Sequence, residues 1–590
     1  MRAFLRIFAA AAVCAVIPAA HAATAHPIPG PQSSDLPSPY LTNTEGSTYV
    51  PMDSWIYPAL DRLHAMGYLD TAYLGLRPWT RLEIAQMLEN DAAKIQLNAN
   101  KDPQALAIYE AVWNNIEPTV GHPTTLFHPR TVLGRVYTQI RGIGGTPLRD
   151  SFHLGQTIIN DYGRPYAPGF NNYTGFSTRT RAGRFALYFR GEFQHAPATT
   201  GYSQALAQYL SEQIDYIPYD PNIRYDDLPA GQIPASNYFR IMEANLSYHL
   251  LGNDISIGKT DHWLGPDKGT VMSWSNNAED IYAFQINDLQ PFRIPLLSLL
   301  TGPFRYEFFV GSLKGHTYPN QPWVHMEKIS FKPTRNLEMG FDRTIIWGGL
   351  GHEPVTWHTF WQSFFSFQNV TAAVKNSAKD PGARFSSFDF NYRLPFVRNW
   401  ITLYCDSLVH DDVSPVDTPR RSSVAPGIYL SHFPGLPRLS LRVEAVSTDP
   451  VSNHDQRGQF MEYEYIQRQG TTNKGFTFGS WIGRENKGGQ AWLTWHFSPK
   501  EEAQFIYRRD KASSAFIPRK IDYTAFLNGG TTQNDFTFSV VKRLLPDKSL
   551  ELHAWVQYEN YLIPIYKTGT QSDTTATVQF TWYPHDKKLF

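Results

Sequence analysis

The stretch His352-Glu353-Pro354-Val355-Thr356-Trp357-His358 holds the first side chains that could do chemistry. Its histidines stand six apart, where a zinc-binding helix needs four, and Pro354 opposes a helix between them, so the match reads as chance in a loop. Neither a Gly-x-Ser-x-Gly elbow nor a phosphate-binding Gly-rich loop ending in Lys-Ser/Thr occurs. Asp226-Asp227 and Asp411-Asp412 have the residue type of a glycosidase, which sets two carboxylates across a sugar. Adjacent acids in such loops read instead as solvated surface, so no catalytic set, metal or cofactor is expected. Sugar binding has a better footing, because polysaccharides present apolar CH faces and hydroxyls that flat aromatics, amides, carboxylates and Arg can match. That mixture occurs at Tyr216 and Tyr219, at Trp263, Trp274, Asn276 and Asn277, and around Trp347, His352, Trp357 and Trp361. The same aromatics also suit the interfacial girdle of a membrane protein.

Most of these residues fall between segments of period two. Phe185, Leu187, Phe189 and Phe193 alternate with Ala186, Tyr188, Arg190, Glu192 and Gln194. Met242, Ala244, Leu246, Tyr248 and Leu250 alternate with Glu243, Asn245, Ser247 and His249, and Phe388, Phe390, Tyr392 and Leu394 with Ser387, Asp389, Asn391 and Arg393. Leu550, Leu552, Ala554, Val556 and Tyr558 oppose Glu551, His553, Trp555, Gln557 and Glu559; Ala576, Val578, Phe580 and Trp582 oppose Thr575, Thr577, Gln579 and Thr581. One face is apolar and the other charged, over about ten residues, as suits a tilted membrane strand. Short turns such as Pro333–Asn336, Pro395–Asn399, Ser498–Glu501 and Leu545–Lys548 separate long stretches such as Gly348–Ala383 and Lys511–Gln533. Short turns at one end and long loops at the other are the outer-membrane arrangement. The tally of alternating segments is about eighteen, and the expected fold is an all-β transmembrane antiparallel barrel over residues 131–590.

Ahead of it the period is helical. Asp53 or Ser54 can cap a helix bearing Ile56, Leu60 and Leu63; Thr80-Arg81-Leu82-Glu83 reads as a capping box opening a second, with Ile84, Met87 and Leu88 inward. A third spans Pro103 to Ile116 with Leu106, Tyr109 and Val112 on its buried face. A small α-helical bundle is therefore expected over residues 49–120, on the periplasmic side. Arg2 and Arg6, the apolar run from Phe8 to Ile17 and Ala20-His21-Ala22 read as a signal peptide over residues 1–22, followed by a linker over 23–48. Its removal leaves Cys405 as the one cysteine, so no disulfide forms within the mature chain. Fifty-three basic against 53 acidic residues give no basic excess to attract nucleic acid.

Several phrases resemble the Wzi capsule-assembly family. They are Val50-Pro51-Met52-Asp53-Ser54-Trp55 with Gly75-Leu76-Arg77-Pro78-Trp79-Thr80-Arg81, then Gly191-Glu192-Phe193-Gln194-His195-Ala196-Pro197, Gly258-Lys259-Thr260-Asp261-His262-Trp263-Leu264-Gly265-Pro266 and Phe388-Asp389-Phe390-Asn391-Tyr392-Arg393-Leu394-Pro395. The resemblance implies an 18-stranded outer-membrane barrel with a periplasmic helical bundle. It implies a lectin rather than an enzyme, one that attaches exported capsular or exopolysaccharide to the cell surface. The partners so implied are that polysaccharide, outer-membrane lipid and the barrel-assembly machinery, for a protein working as a monomer without a cofactor. Tyr216, Tyr219, Trp263, Trp274, Asn276, Asn277, Trp347 and Trp357 are the expected polysaccharide contacts. A porin or sugar channel is the alternative that a barrel alone permits. Tyr188, Arg190, Trp492, His553 and Trp555 point against it, as inward residues bulky enough to crowd and pair across a lumen that eighteen strands would leave wide.

Overall fold

Alternation of apolar and polar side chains resolves into eighteen antiparallel strands, each of which hides one face from lipid and the other from water. They are β1 (Arg130–Gly144), β2 (Gly169–Ala182), β3 (Phe185–Ala196), β4 (Ser236–Leu250), β5 (Asn253–Lys259) and β6 (Tyr282–Asp288). Next come β7 (Phe304–Ser312), β8 (Trp323–Thr334), β9 (Leu337–Trp347), β10 (Ala383–Arg393), β11 (Ile401–His410) and β12 (Ser423–Leu430). The last are β13 (Leu439–Ser447), β14 (Asn486–Ser498), β15 (Glu501–Ala512), β16 (Thr532–Leu544), β17 (Leu550–Leu562) and β18 (Gln571–Trp582). Each pairs with its chain neighbours, and β18 returns to β1 from Val136 opposite Trp582 to Gly144 opposite Thr574, so the barrel is closed. The computed structural model describes residues 45–584, except 121–122, 154–155, 367–370, 413–414, 451–463, 513–531 and 563–569. The expected leader and its cleavage site, most of the expected linker, most of the Lys511–Gln533 loop and the polar tail after Pro584 lie outside the described residues. Among those described, no helix is long and apolar enough to cross a membrane.

Register follows the sequence pattern. On β3, Phe185, Leu187 and Phe193 are exposed outward while Arg190 and Glu192 are buried in the lumen. The turn Leu251-Gly252 joins β4 to β5 with both residues at positive φ, 51° and 80°, as a tight hairpin of matching twist requires. Met242 departs from the expected face: the pairing of β3 with β4 slips at Arg190/Gly191, and this bulge turns both Met242 and Glu243 inward.

Three helices stand at the short-turn end: α1 (Ile56–Ala65), α2 (Arg81–Leu97) and α3 (Pro103–Val120). The capping box at Thr80 and Glu83 forms. Neither Asp53 nor Ser54 is the N-cap of α1; Trp55 holds that position without a side-chain cap. The Asp53 carboxylate is engaged elsewhere, by Arg135 at 2.7 Å and Arg190 at 2.8 Å on the wall. On α3, Ala105, Ile108, Tyr109, Val112 and Ile116 are buried, whereas Leu106 is only half-buried because the face is rotated by one position. Arg62 donates to the Pro437 carbonyl (2.7 Å), Arg393 to those of Tyr68 (2.9 Å) and His64 (3.3 Å), and Glu83 pairs with Arg305 (2.7 Å). These contacts seat the helices against the turns and inner wall.

Closure is not made by side chains meeting across an empty lumen. An inward loop, residues 260–281, meets the N-terminal segment and the stretch 470–485 in an apolar core inside the barrel, with Tyr73, Leu76, Leu264, Met272 and Trp274 packed among Phe309, Phe385, Leu408, Phe478 and Trp481. Arg190 binds Asp53, Lys268 lies over Trp492, Arg141 over Trp555, and His553 meets Ser539 on the neighbouring strand. The bulky inward residues therefore hold the plug or their own neighbours.

Candidate functional site

At the long-loop end, the described residues of 145–168, 197–235 and 464–485 come together. His153 lies between Asp150 and Asp215 (2.8 Å), and Asp215 also takes Arg484 at 2.6 Å. Burial opposes a charged ring, but the two carboxylates outweigh it and raise the His153 pKa to about 10. One buried charge network thus ties three loops. Asp227 stands beside it, accepting from Gln469 at 3.1 Å; burial, then repulsion from Asp215, lifts its pKa to about 7.

Beneath these loops opens a cleft of about 870 Å³, the size of a saccharide site. Arg149, Arg164, Arg224, Arg240 and Lys474 against Asp150, Asp226 and Glu279 supply its charges, and Tyr166, Tyr238 and Phe476 are among its rings. Three cations converge on Glu279: Lys259 at 2.6 Å, Arg240 at 2.8 Å and Lys474 at 2.8 Å. Burial alone would raise the Glu279 pKa, but these cations bring it down to about 2. Arg149 has no carboxylate partner among the described residues, and burial lowers its pKa to about 10. The cleft therefore carries a surplus of positive charge. A second cavity of about 550 Å³ lies deeper in the lumen, lined by Asp53, Arg77, Trp263, Trp492 and Trp555. Arg164 lines both spaces, fixed by Glu192 at 2.7 Å and by Asp161, and stands between them.

The expected sugar contacts do not form one patch. Tyr216 and Tyr219 lie on the outer loops: Tyr216 is half-exposed, and Tyr219 stacks on Tyr225 at 5.4 Å. Trp263 faces the inner cavity and donates to the Asp267 carbonyl (2.8 Å). Trp274 is 2% exposed, stacked on Phe478 at 4.0 Å with its N–H on Thr344. Asn277 is buried against Ser151 and Thr477, and Asn276 lines the inner cavity with its side-chain amide oxygen Oδ1 unpartnered among the described residues. Trp347 is buried and points out of the barrel. The helix Trp357–Phe364 covers it from outside, where Phe360 and Phe364 pack on Phe308 and His325 of the outer wall. Trp357 and Trp361 on that helix face away from the wall and are exposed. His352 bonds Asp380 at 2.9 Å. Spacing alone could not have found Arg149, Arg240, Glu279 and Lys474, which come from four separate parts of the chain; Arg240 shares the parity of Met242 and is turned inward only by the bulge at Arg190/Gly191.

The family model of the capsule assembly protein Wzi matches residues 139–576. The chain belongs to the Wzi capsule-assembly family. Its backbone superposes on the Escherichia coli Wzi structure with a TM-score of 0.62, covering 91% of this chain and 100% of that one at 14% identity. That protein is described as an outer-membrane, carbohydrate-binding β-barrel involved in group 1 capsule assembly. A 55.8 kDa protein in the cps region of Klebsiella pneumoniae is 26% identical over 147 residues, which span 25% of this chain and 28% of that protein. The closed 18-stranded barrel with N-terminal helices seen here is thus an outer-membrane barrel of this family.

Proposed function

We propose that this protein is an outer-membrane lectin that attaches exported capsular or exopolysaccharide to the cell surface without cleaving it. The observation that carries this reading is a barrel whose lumen holds a core of its own chain in the Wzi family, with an open cleft under the outer loops lined by arginines and tyrosines. A core of the chain's own residues inside the lumen opposes free passage of a solute, whereas rings and cations on the outer side give a glycan faces to stack on and charges to meet. Tyr216 and Tyr219 serve as outer contacts, with Arg149, Arg224 and Lys474 as the charged ones. The helices α1 to α3 lie on the periplasmic side, where both chain ends of the barrel and its short turns also lie. The protein acts as a monomer inserted by the barrel-assembly machinery.

Deleting the protein from its own host should release polysaccharide into the medium with total synthesis unchanged, and the wild-type chain should restore retention. Unchanged retention in the deletion strain, or polymer of reduced length on cells carrying the protein, contradicts anchoring without turnover.

A further inference from the structure

The outer cleft passes through the barrel wall. β4 pairs with β3 along nearly its whole length, from Ser236 to Tyr248, but with β5 only from Ala244 to Leu250. β5 ends at Lys259, opposite the first residue of β6, Tyr282. Residues 236–243 of β4 thus have no strand partner on that side among the described residues. The cleft is lined by residues from both faces of this strand: Tyr238 and Arg240 point inward, Phe239 and Ile241 outward. Phe239 lies opposite the lipid-facing Phe193 and over Gly191, where a Cβ would meet its ring at 2.3 Å. A cavity touching both faces of one strand wraps its open edge, so the wall is notched here.

The two sides of the notch differ in chemistry. Inside are the cations around Glu279 and Arg149, which has no carboxylate partner among the described residues. Outside, Phe239 (55% exposed) and Tyr282 (57%) continue the lipid-facing surface of Phe193 and Phe284. Phe239 lies eleven residues up β4 from the Leu250 end, about 28 Å above the short-turn rim at about 3.3 Å per residue and the usual barrel tilt. The apolar band of such barrels is about 25 Å tall, so the notch opens at its outer edge. An open strand edge by itself suits an added peptide strand. Lys259, however, donates to the Ile241 carbonyl at 2.8 Å and so occupies that edge, a common device against strand addition.

We propose that the notch admits, sideways from the outer leaflet, an acylated anionic saccharide, with its charged sugar in the cleft and its acyl chains along Phe239 and Tyr282. The proposal rests on reading the cleft as a saccharide site and adds the lipid. The test compares a phosphorylated, acylated diglucosamine with the same diglucosamine bisphosphate lacking acyl chains, each titrated against the full protein in nanodiscs. Soluble capsular polysaccharide is a third arm. Burying even a few methylenes makes the acylated form bind at least about tenfold more tightly than the deacylated one. Phe239→Ala removes that advantage while leaving the deacylated form unaffected. Lys474→Gln weakens both by up to about fivefold, as expected for one partly exposed charge. Both side chains are half-exposed, and retained heat-modifiability verifies the barrel in each variant. Equal affinity for the two forms, or an acyl advantage that survives Phe239→Ala, overturns the lateral entry. If soluble polysaccharide binds normally in that case, the anchoring function still stands.

Discussion

Replacing Glu83 by Ala tests whether the helical plug is held by buried electrostatics. Glu83 Oε1 meets Arg305 at 2.7 Å with each side chain 2% exposed, and Oε2 accepts the Thr80 N–H at 2.7 Å. Arg305 also donates to the Asp288 carbonyl (2.8 Å) and to Asn287 (3.2 Å), so it stays in place when its carboxylate is lost. Leaving that guanidinium buried without its anion costs about 3–5 kcal/mol, and losing the capping bond about 1 kcal/mol more. Hydrogen exchange of the α2 amides reads the opening free energy directly, and about 4 kcal/mol corresponds to about a thousandfold faster exchange. Glu83→Gln keeps the cap and should regain about 1 kcal/mol of the loss. The strands keep their protection in both variants. A change below about tenfold, or the same loss in an Arg305→Met background, would mean that the pair does not hold α2 to the wall.

Asp227 gives the outer loops a pH dependence. Its folded pKa of about 7 lies above the usual 3.8, so the fold prefers the protonated acid: the stabilisation is full below about 4 and is lost as pH rises through 7. Protection of residues 197–235 should fall between pH 6 and 8 and become flat in Asp227→Asn; a flat wild-type profile refutes this. Trp274→Ala should cost about 3–5 kcal/mol in denaturant unfolding, because it empties a stacked, fully packed site inside the barrel. A loss under 1 kcal/mol would show that this core is not tightly packed. A fluorophore at Trp361→Cys, in a Cys405→Ser background, should be quenched by lipid-borne spin labels, because its helix turns Ser363 toward wall residue His325 (2.9 Å) and its Trp stripe away from it. Quenching by aqueous iodide instead would place that helix in water.

The barrel was legible because its physics is local and repeated. A two-residue period, charged on one side, leaves a strand few places to be, and Phe185 to Gln194 went where their parity sent them. The capping box at Thr80 was legible for the same reason, its partners being three residues apart. Asp53 misled because its local option, a cap, lost to two arginines on distant strands. Met242 misled because a bulge shifts parity without leaving a mark in composition. The apolar core inside the lumen and the cleft around Glu279 depend on side chains hundreds of residues apart, for which a single sequence carries no pairing signal. The tryptophans show this most clearly: type and spacing marked Trp263, Trp274, Trp347 and Trp357 alike, but they lie on the inner cavity, in the core, outside the wall beneath a helix and on the outer surface of that helix.

Direct binding of host polysaccharide to the purified protein in nanodiscs tests the central claim. Calorimetry should show saturable binding that weakens with salt, because cations line the cleft. No reducing ends should form, and the same preparation should give no stable conductance in planar bilayers. An absence of binding together with large, steady single-channel currents would contradict a closed lectin and make the barrel a channel.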